Sequence, residues 1–401
     1  MLADYSLQIQ QVYADCVDAL LQNIAHHFKV SPEQTYSFQW YTKKLGEMGA
    51  LNSENIAIIA KLAGQADPMI ELALQQAMLD TLYQDDRKLW ASAKAAIDNG
   101  DITQGLTDSL NQTLRNFSAQ AIEQTNLVNT VMLTQTDTAA RRVLASVSAP
   151  QSTLTAASQT QLNAAAGRVV TGTSTLQQSI RQALTRMADD GITGFIDKAG
   201  HRWSAEAYVA MDVQQTMHNV ATETTFERAR SSDGLIYISI NATARPGCAP
   251  WQGKVISLNN ESGTVLDLND NRHTIYPVSE TTYGQPAGIL GINCHHRASR
   301  FNPGLTAIRG ENKSVKELTD GYEVRKRRTD IEYQVKTAKR KAAVAKANGD
   351  MEGFEIQARK SKAAQGRLRD YCEQTGLDYR KNRLQVYGYD RSAAQAARNV
   401  K

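Results

Sequence analysis

Apolar residues recur at helical spacing along most of this chain. Ile9, Val12, Tyr13, Cys16, Val17, Leu20, Leu21, Ile24 and Phe28 follow an i, i+3, i+4, i+7 rule, which predicts an amphipathic helix over residues 5–30. "SPEQ" at 31–34 offers a Ser cap, a proline at the first helical position and a Gln that closes a capping box, so a second helix is expected from there. Helical spacing continues through "NSENIAIIAKLAG", "DPMIELALQQAMLDTLYQ" and "DRKLWASAKAAIDNG", with Gly64 and Gly100 as stops. Residues 101–190 are rich in Thr, Gln, Ser and Ala. Their narrow apolar stripe, in "QTNLVNTVMLTQTDTAARRVLASV" and "TSTLQQSIRQALTRMADDG", predicts polar helices that pack on other helices or subunits. "SAPQSTLTAASQTQ" reads as a link between them.

The period then changes. "FIDKAGHRW" predicts a short hairpin turning at Lys-Ala-Gly, and a helix follows from about Ser204 to Arg230. "GLIYISINATARPG" alternates and is β-branched, and "GKVISLN" and "HTIYPVS" are further strand candidates. From Lys313 the pattern is helical again, broken at Asn348-Gly349-Asp350 and ended by Gly376, which predicts a helical hairpin. The expected fold is mainly α with a small central α+β module, long N-terminal helices and a basic C-terminal hairpin. The expected domains are a helical one over 1–100, a polar helical region over 101–190, the α+β module over 191–310 and the hairpin over 311–401.

Composition narrows the function classes. The 401 residues include only 8 prolines, and no apolar run reaches the roughly 18 residues that span a bilayer. The first residues lack a basic segment before their apolar pattern, so neither a signal peptide nor a membrane anchor is expected and synthesis should be cytoplasmic. No phosphate loop, dinucleotide-binding glycine motif or HExxH helix is present. His26, His27, His201 and His218 stand apart from one another and need no site to explain them, and Asp189-Asp190 closes a helix before Gly191.

Charge is unevenly placed. Residues 313–401 hold 22 Lys and Arg against 12 Asp and Glu, a net of +10, whereas the whole chain is only +4. The candidates to face a nucleic acid or an acidic partner are Arg325, Lys326, Arg327 and Arg328, then Lys339, Arg340 and Lys341, then Arg359, Lys360, Lys362, Arg367 and Arg369. Solvated helix faces explain the same charges equally simply.

Two stretches depart from the helical composition: "TARPGCAPWQGKV" at 243–255, and "YGQPAGILGINCHHRASRFNPG" some forty residues on. Four readings compete for them. Cys248, Cys294 and His296, with His273 in reach, form a mixed set that zinc accepts, although no CxxC pair is present. Either thiol with His273 or His296 as base makes a nucleophile. Cys248 and Cys294 can form a disulfide in an oxidising medium. Finally, Pro and Gly make tight turns while Trp251 fills a small core and the site is structural alone. The last reading is the expectation, with the three residues sharing one core and no cofactor held; zinc is the open alternative. Cys16 and Cys372 lie in helical patterns and are expected as buried thiols.

The order of these segments resembles the phage minor capsid protein 2 family, which is related to the Mu F-like head morphogenesis proteins. The resemblance rests on "ITGFIDKAGHRWSAEAYVAMDVQQTM", on Arg245, Pro246, Trp251, Gln252, Gly253 and Lys254 in the first odd stretch, on Gly291, Asn293, Cys294, His296, Pro303 and Gly304 in the second, and on the basic tail. It is close over 191–390 and looser over 1–100. Cys248 stands where members of the family often carry histidine, and "RASRFNPG" replaces their aromatic residues. The resemblance implies a virion protein, not an enzyme, in several copies at the capsid interior or portal vertex. Its implied partners are the portal protein, the major capsid protein and packaged double-stranded DNA, and its implied tasks are head assembly or DNA delivery. The rival reading is a metal- or thiol-dependent hydrolase centred on Cys248, Cys294 and His296.

Overall fold

Helices form along the predicted spacing in the computed structural model, which describes residues 2–31, 38–98, 106–148, 176–191, 193–196, 202–241, 244–292, 294–308 and 315–391. The helices are α1 (Leu2–His27), α2 (Phe38–Ala63), α3 (Ala66–Asp85), α4 (Arg87–Asp98), α5 (Asp108–Ser148), α6 (Leu176–Asp190), α7 (Ala205–Arg230), α8 (Val315–Asn348) and α9 (Met351–Thr375). Most of the cap at 31–34, the stop at Gly100, most of the link at 148–161, the Lys-Ala-Gly turn and Asn293 fall outside the described residues. The fold is mainly helical with a small mixed sheet in the middle of the chain.

α5 shows how a Thr-rich sequence stays helical for 41 residues. Thr130, Thr134, Thr136 and Thr138 each donate their hydroxyl to the carbonyl four residues back, so the side chains satisfy themselves on their own helix.

Two compact units divide the chain: residues 1–7, 68–124 and 210–326 in one, and 8–67, 125–209 and 327–401 in the other. The second is built around α1. Ile9, Tyr13, Cys16, Val17, Leu20, Leu21, Ile24 and Phe28 are all buried. Asp15 and Asp18, on the polar side of the predicted stripe, are buried too. Asp18 meets Arg340 at 2.6 Å and Asp15 meets Arg391 at 3.0 Å. In the same unit α8 and α9 form the predicted hairpin, turning at Gly349 with φ 82° and ending at Gly376 with φ 67°. Ile331, Val335, Ala364, Leu368, Cys372 and Leu384 make its seam. β1 (Thr193–Ile196) and β2 (Arg202–Ser204) pair antiparallel, as expected.

The first unit holds a five-stranded sheet in the order β5-β6-β4-β3-β7, from β3 (Leu235–Ile238), β4 (Val255–Ser257), β5 (Gly263–Leu266), β6 (Arg272–Pro277) and β7 (Ala298–Arg300). β4 and β6 run parallel and the other neighbours antiparallel. Alternation along β3 sends Ile236 and Ile238 to one face and Leu235 and Tyr237 to the other. The first face packs with Phe226 and Ala229 of α7 and with Cys248, Ile289, Leu290 and Cys294 from two loops. The second packs around Val255 and Phe301. β3, β4 and β6 lie where alternation predicts them. β5 and β7 were not expected: β5 is four residues on an exposed edge and β7 is Ala-Ser-Arg, with no β-branched residue to announce it.

Candidate functional site

The loop from Ala244 to Lys254 is wound by its own backbone. The Cys248 and Ala249 N–H groups donate to the Arg245 carbonyl at 2.9 and 2.8 Å, and the Trp251 N–H donates to the Cys248 carbonyl at 3.0 Å. Gly253, at φ 70°, then returns the chain to β3 through its N–H and the Ile238 carbonyl. This winding turns Pro246 and Pro250 outward and Cys248 inward. Trp251 does not fill the core. It is half-buried at the margin of the cluster, edge-on to Tyr276 of β6 at 5.9 Å, with Lys254 Nζ 5.3 Å from the same ring.

The second loop, from Thr281 to Cys294, is pressed against the first. Thr282 Oγ1 donates to the Gly247 carbonyl at 2.8 Å and accepts from the Ile289 N–H at 2.9 Å. Gly247 permits that approach, since a Cβ on it would lie 2.6 Å from the Ala287 carbonyl oxygen, and Gly288 lets the second loop close on itself, where a Cβ would overlap the Thr282 carbonyl. Leu290 sits in the left-handed region at φ 58°, where its N–H reaches Cys294 Sγ at 3.2 Å.

The two odd stretches therefore meet. Cys248 Sγ lies 3.7 Å from Cys294 Sγ, and Cys294 Sγ lies 3.4 Å from His296 Nδ1. All four cysteines are free, so the facing pair is not a disulfide. His296 Nε2 is 3.2 Å from Gln252 Oε1, which also accepts the Asn241 N–H at 3.0 Å. Cys248, Cys294 and His296 are 1, 6 and 2% exposed. The contact from the Cys248 thiol, and after it His296, holds Cys294 well below the ordinary thiol pKa, while the same contact pushes Cys248 up. Arg245 Nη2 approaches Cys248 Sγ at 3.9 Å. Chemically the trio is a soft donor set able to hold a cation, with donor atoms within 4.8 Å of one another.

The remaining candidates lie elsewhere. His273 pairs with Asp267 at 3.1 Å and does not join the trio. Pro303 and Gly304 are exposed in a turn tied to the end of β5, where the Gly304 N–H meets the Leu266 carbonyl. Thr282, Leu290 and Asn241 were not singled out from the sequence. No composition signal marks them, because their parts are played by a hydroxyl angle and two backbone N–H groups.

The basic candidates divide sharply. Arg325, Lys326, Arg327, Arg359, Lys360, Lys362, Arg367 and Arg369 are exposed. Lys339 and Arg340 are buried and face no solvent: Lys339 meets Asp390 at 2.7 Å, and Arg340 meets Asp18 and, at 3.1 Å, Glu206. Lys341 pairs with Asp189, and the nearly buried Arg328 lies 3.7 Å from Glu332. Between α8 and α9 runs a groove of about 350 Å³ whose lining includes Tyr333, Lys360 and Arg367.

Residues 2–373 match phage minor capsid protein 2. The chain belongs to that family. A relative described as "Structural protein", from Lactococcus phage LL-H, is 26% identical over 316 residues, covering 78% of this chain and 79% of its own. No solved structure matches. The role is accordingly that of a structural protein of the phage particle. No helix among the described residues is long and apolar enough to cross a membrane.

Proposed function

We propose that the chain lies at the portal vertex or on the inner side of the capsid, in several copies, where it assists head assembly or DNA delivery and meets the packaged duplex through its C-terminal hairpin. Family membership supports the virion role. The observation that carries the DNA contact is that Arg359, Lys360, Lys362, Arg367 and Arg369 are all exposed on one 25-residue helix, α9. Lys360 and Arg367 of this set line a groove in which Tyr333 is 59% exposed. Cations spaced along a rigid rod neutralise successive phosphates without reading bases, which suits a protein that must accept any sequence of packaged DNA.

A non-enzymatic role agrees with the burial of the thiol pair. Cys248 and Cys294 share a core with Ile256, Ile289 and Leu290, and neither sulfur is presented to solvent.

Cross-linking mass spectrometry on purified, DNA-filled particles tests the reading. The chain should be recovered in particles at fewer copies than the major capsid protein, with cross-links from Lys360 or Lys362 to the portal or capsid protein or, under ultraviolet light, to DNA. Recovery only from the soluble lysate would overturn it.

A further inference from the structure

We propose that Cys248, Cys294 and His296 form a binding site for a zinc-type divalent cation that pins the two loops of the central module together. The distances carry this furthest. A tetrahedral zinc with bonds of about 2.3 Å to sulfur and about 2.0–2.1 Å to nitrogen sets its donors about 3.8 Å apart for two sulfurs and about 3.6 Å for sulfur and nitrogen. The structure has 3.7 Å between the sulfurs and 3.4 Å between Cys294 Sγ and His296 Nδ1. A disulfide, by contrast, needs its sulfurs about 2.05 Å apart.

The surroundings are those a metal site requires. Gln252 Oε1 accepts the Asn241 N–H, which fixes the amide with its oxygen toward His296. The imidazole must then donate from Nε2, and Nδ1 is left with its lone pair toward the sulfurs. The Leu290 N–H aimed at Cys294 Sγ supports a thiolate there, at the cost of a left-handed leucine. Beside the apolar core that holds Cys248 and Cys294, a buried imidazole with an oriented amide is less favourable than another aliphatic side chain.

Both cysteines bind as thiolates, so loading releases up to two thiol protons to the buffer and transfers no electron. The trio fills three positions of the tetrahedron, one donor from each side of the loop contact and the third locked by Gln252. This explains why two segments about forty residues apart both depart from helical composition: each carries the glycines and the soft donors that the other needs.

The test uses the full-length chain, reduced without a chelating reductant. Titration with Co²⁺ should give one equivalent of the thiolate-to-cobalt charge-transfer and intense visible bands of a tetrahedral sulfur site, and Zn²⁺ should displace it and raise the melting temperature. Cys294→Ser and Cys248→Ser should weaken binding more than tenfold. Gln252→Ala, which removes no ligand, should weaken it about tenfold. Cys372→Ser, in the hairpin seam, should leave the cobalt spectrum unchanged. Wild-type protein that gives no such spectrum, and retains no zinc by elemental analysis, overturns the proposal whether or not the variants fold. So does peptide mapping of purified particles that finds Cys248 linked to Cys294.

Discussion

Arg340 is 6% exposed and carries its charge between Asp18 and Glu206, residues far from it and from each other in the sequence. Burial works against the charge, but the two carboxylates outweigh it and hold the guanidinium above its ordinary pKa. Arg340→Met would strand two buried carboxylates, and its expected cost at pH 7 is about 3–5 kcal/mol by urea unfolding. Stranded carboxyls have folded-state pKa values above their unfolded ones. They favour the fold at acid pH and lose that contribution as pH rises, so the deficit should shrink on acidification. An equal deficit at pH 5 and pH 7 would point to lost packing instead. Asp212 on α7 gives a second case. Burial lifts its pKa from 3.8 to about 6, and one of its oxygens has no partner among the described residues. Its favourable contribution is complete below about pH 4 and is lost as pH rises through about 6. Asp212→Asn should therefore flatten the stability profile over that window and add about 1 kcal/mol at pH 7. Neither role was legible in the sequence. "KRK" shows three charges, and only the fold decides that the first two point inward.

At the scale of elements, legibility follows the strength of the local signal. α1, α7, β3, β4, β6 and the hairpin turn lie where periodicity and Gly or Pro place them, because each buries a regular face. β7 is missed because its pairing with β3 supplies what Ala-Ser-Arg lacks. The trio was legible as three residue types in two unusual loops. The separation of its sulfurs was not, since Thr282 and the glycine contacts set it. α9 tests how much a single cap contributes. Asp350 Oδ1 accepts the Gly353 N–H at 2.9 Å, while its other oxygen meets Arg181 Nε at 2.7 Å. Asp350→Ala removes both contacts and should cost about 1–2 kcal/mol in thermal or urea unfolding. Asp350→Asn keeps the cap and loses the ion pair's charge, so it should recover more than half. Equal losses in the two variants would assign the effect to Arg181 rather than to the helix terminus.

For the whole molecule the question is where the net +10 of residues 313–401 acts. Part of it is used internally: Arg340 and Arg391 neutralise Asp18, Glu206 and Asp15, which lie outside the segment, whereas Lys339 with Asp390 and Arg380 with Glu332 are pairs already within that net charge. The exposed candidates for a partner include Arg359, Lys360, Lys362, Arg367 and Arg369 on α9 and Arg325, Lys326 and Arg327 on α8. A surface of this size should bind duplex DNA weakly, without sequence preference, and with an affinity that falls steeply as salt displaces the released counterions. Titrating the full-length chain with two unrelated duplexes at low and moderate salt should give matching curves with the same steep salt slope. Reversing Lys360 and Arg367 to Glu should lower affinity at least tenfold and reduce the slope by about two, because each lost cation removes about one released counterion. Lys339→Gln should unsettle the fold instead, since that charge is already satisfied at Asp390. A chain that binds neither duplex at low salt, or whose binding ignores salt, would leave an acidic capsid protein as the partner of this face.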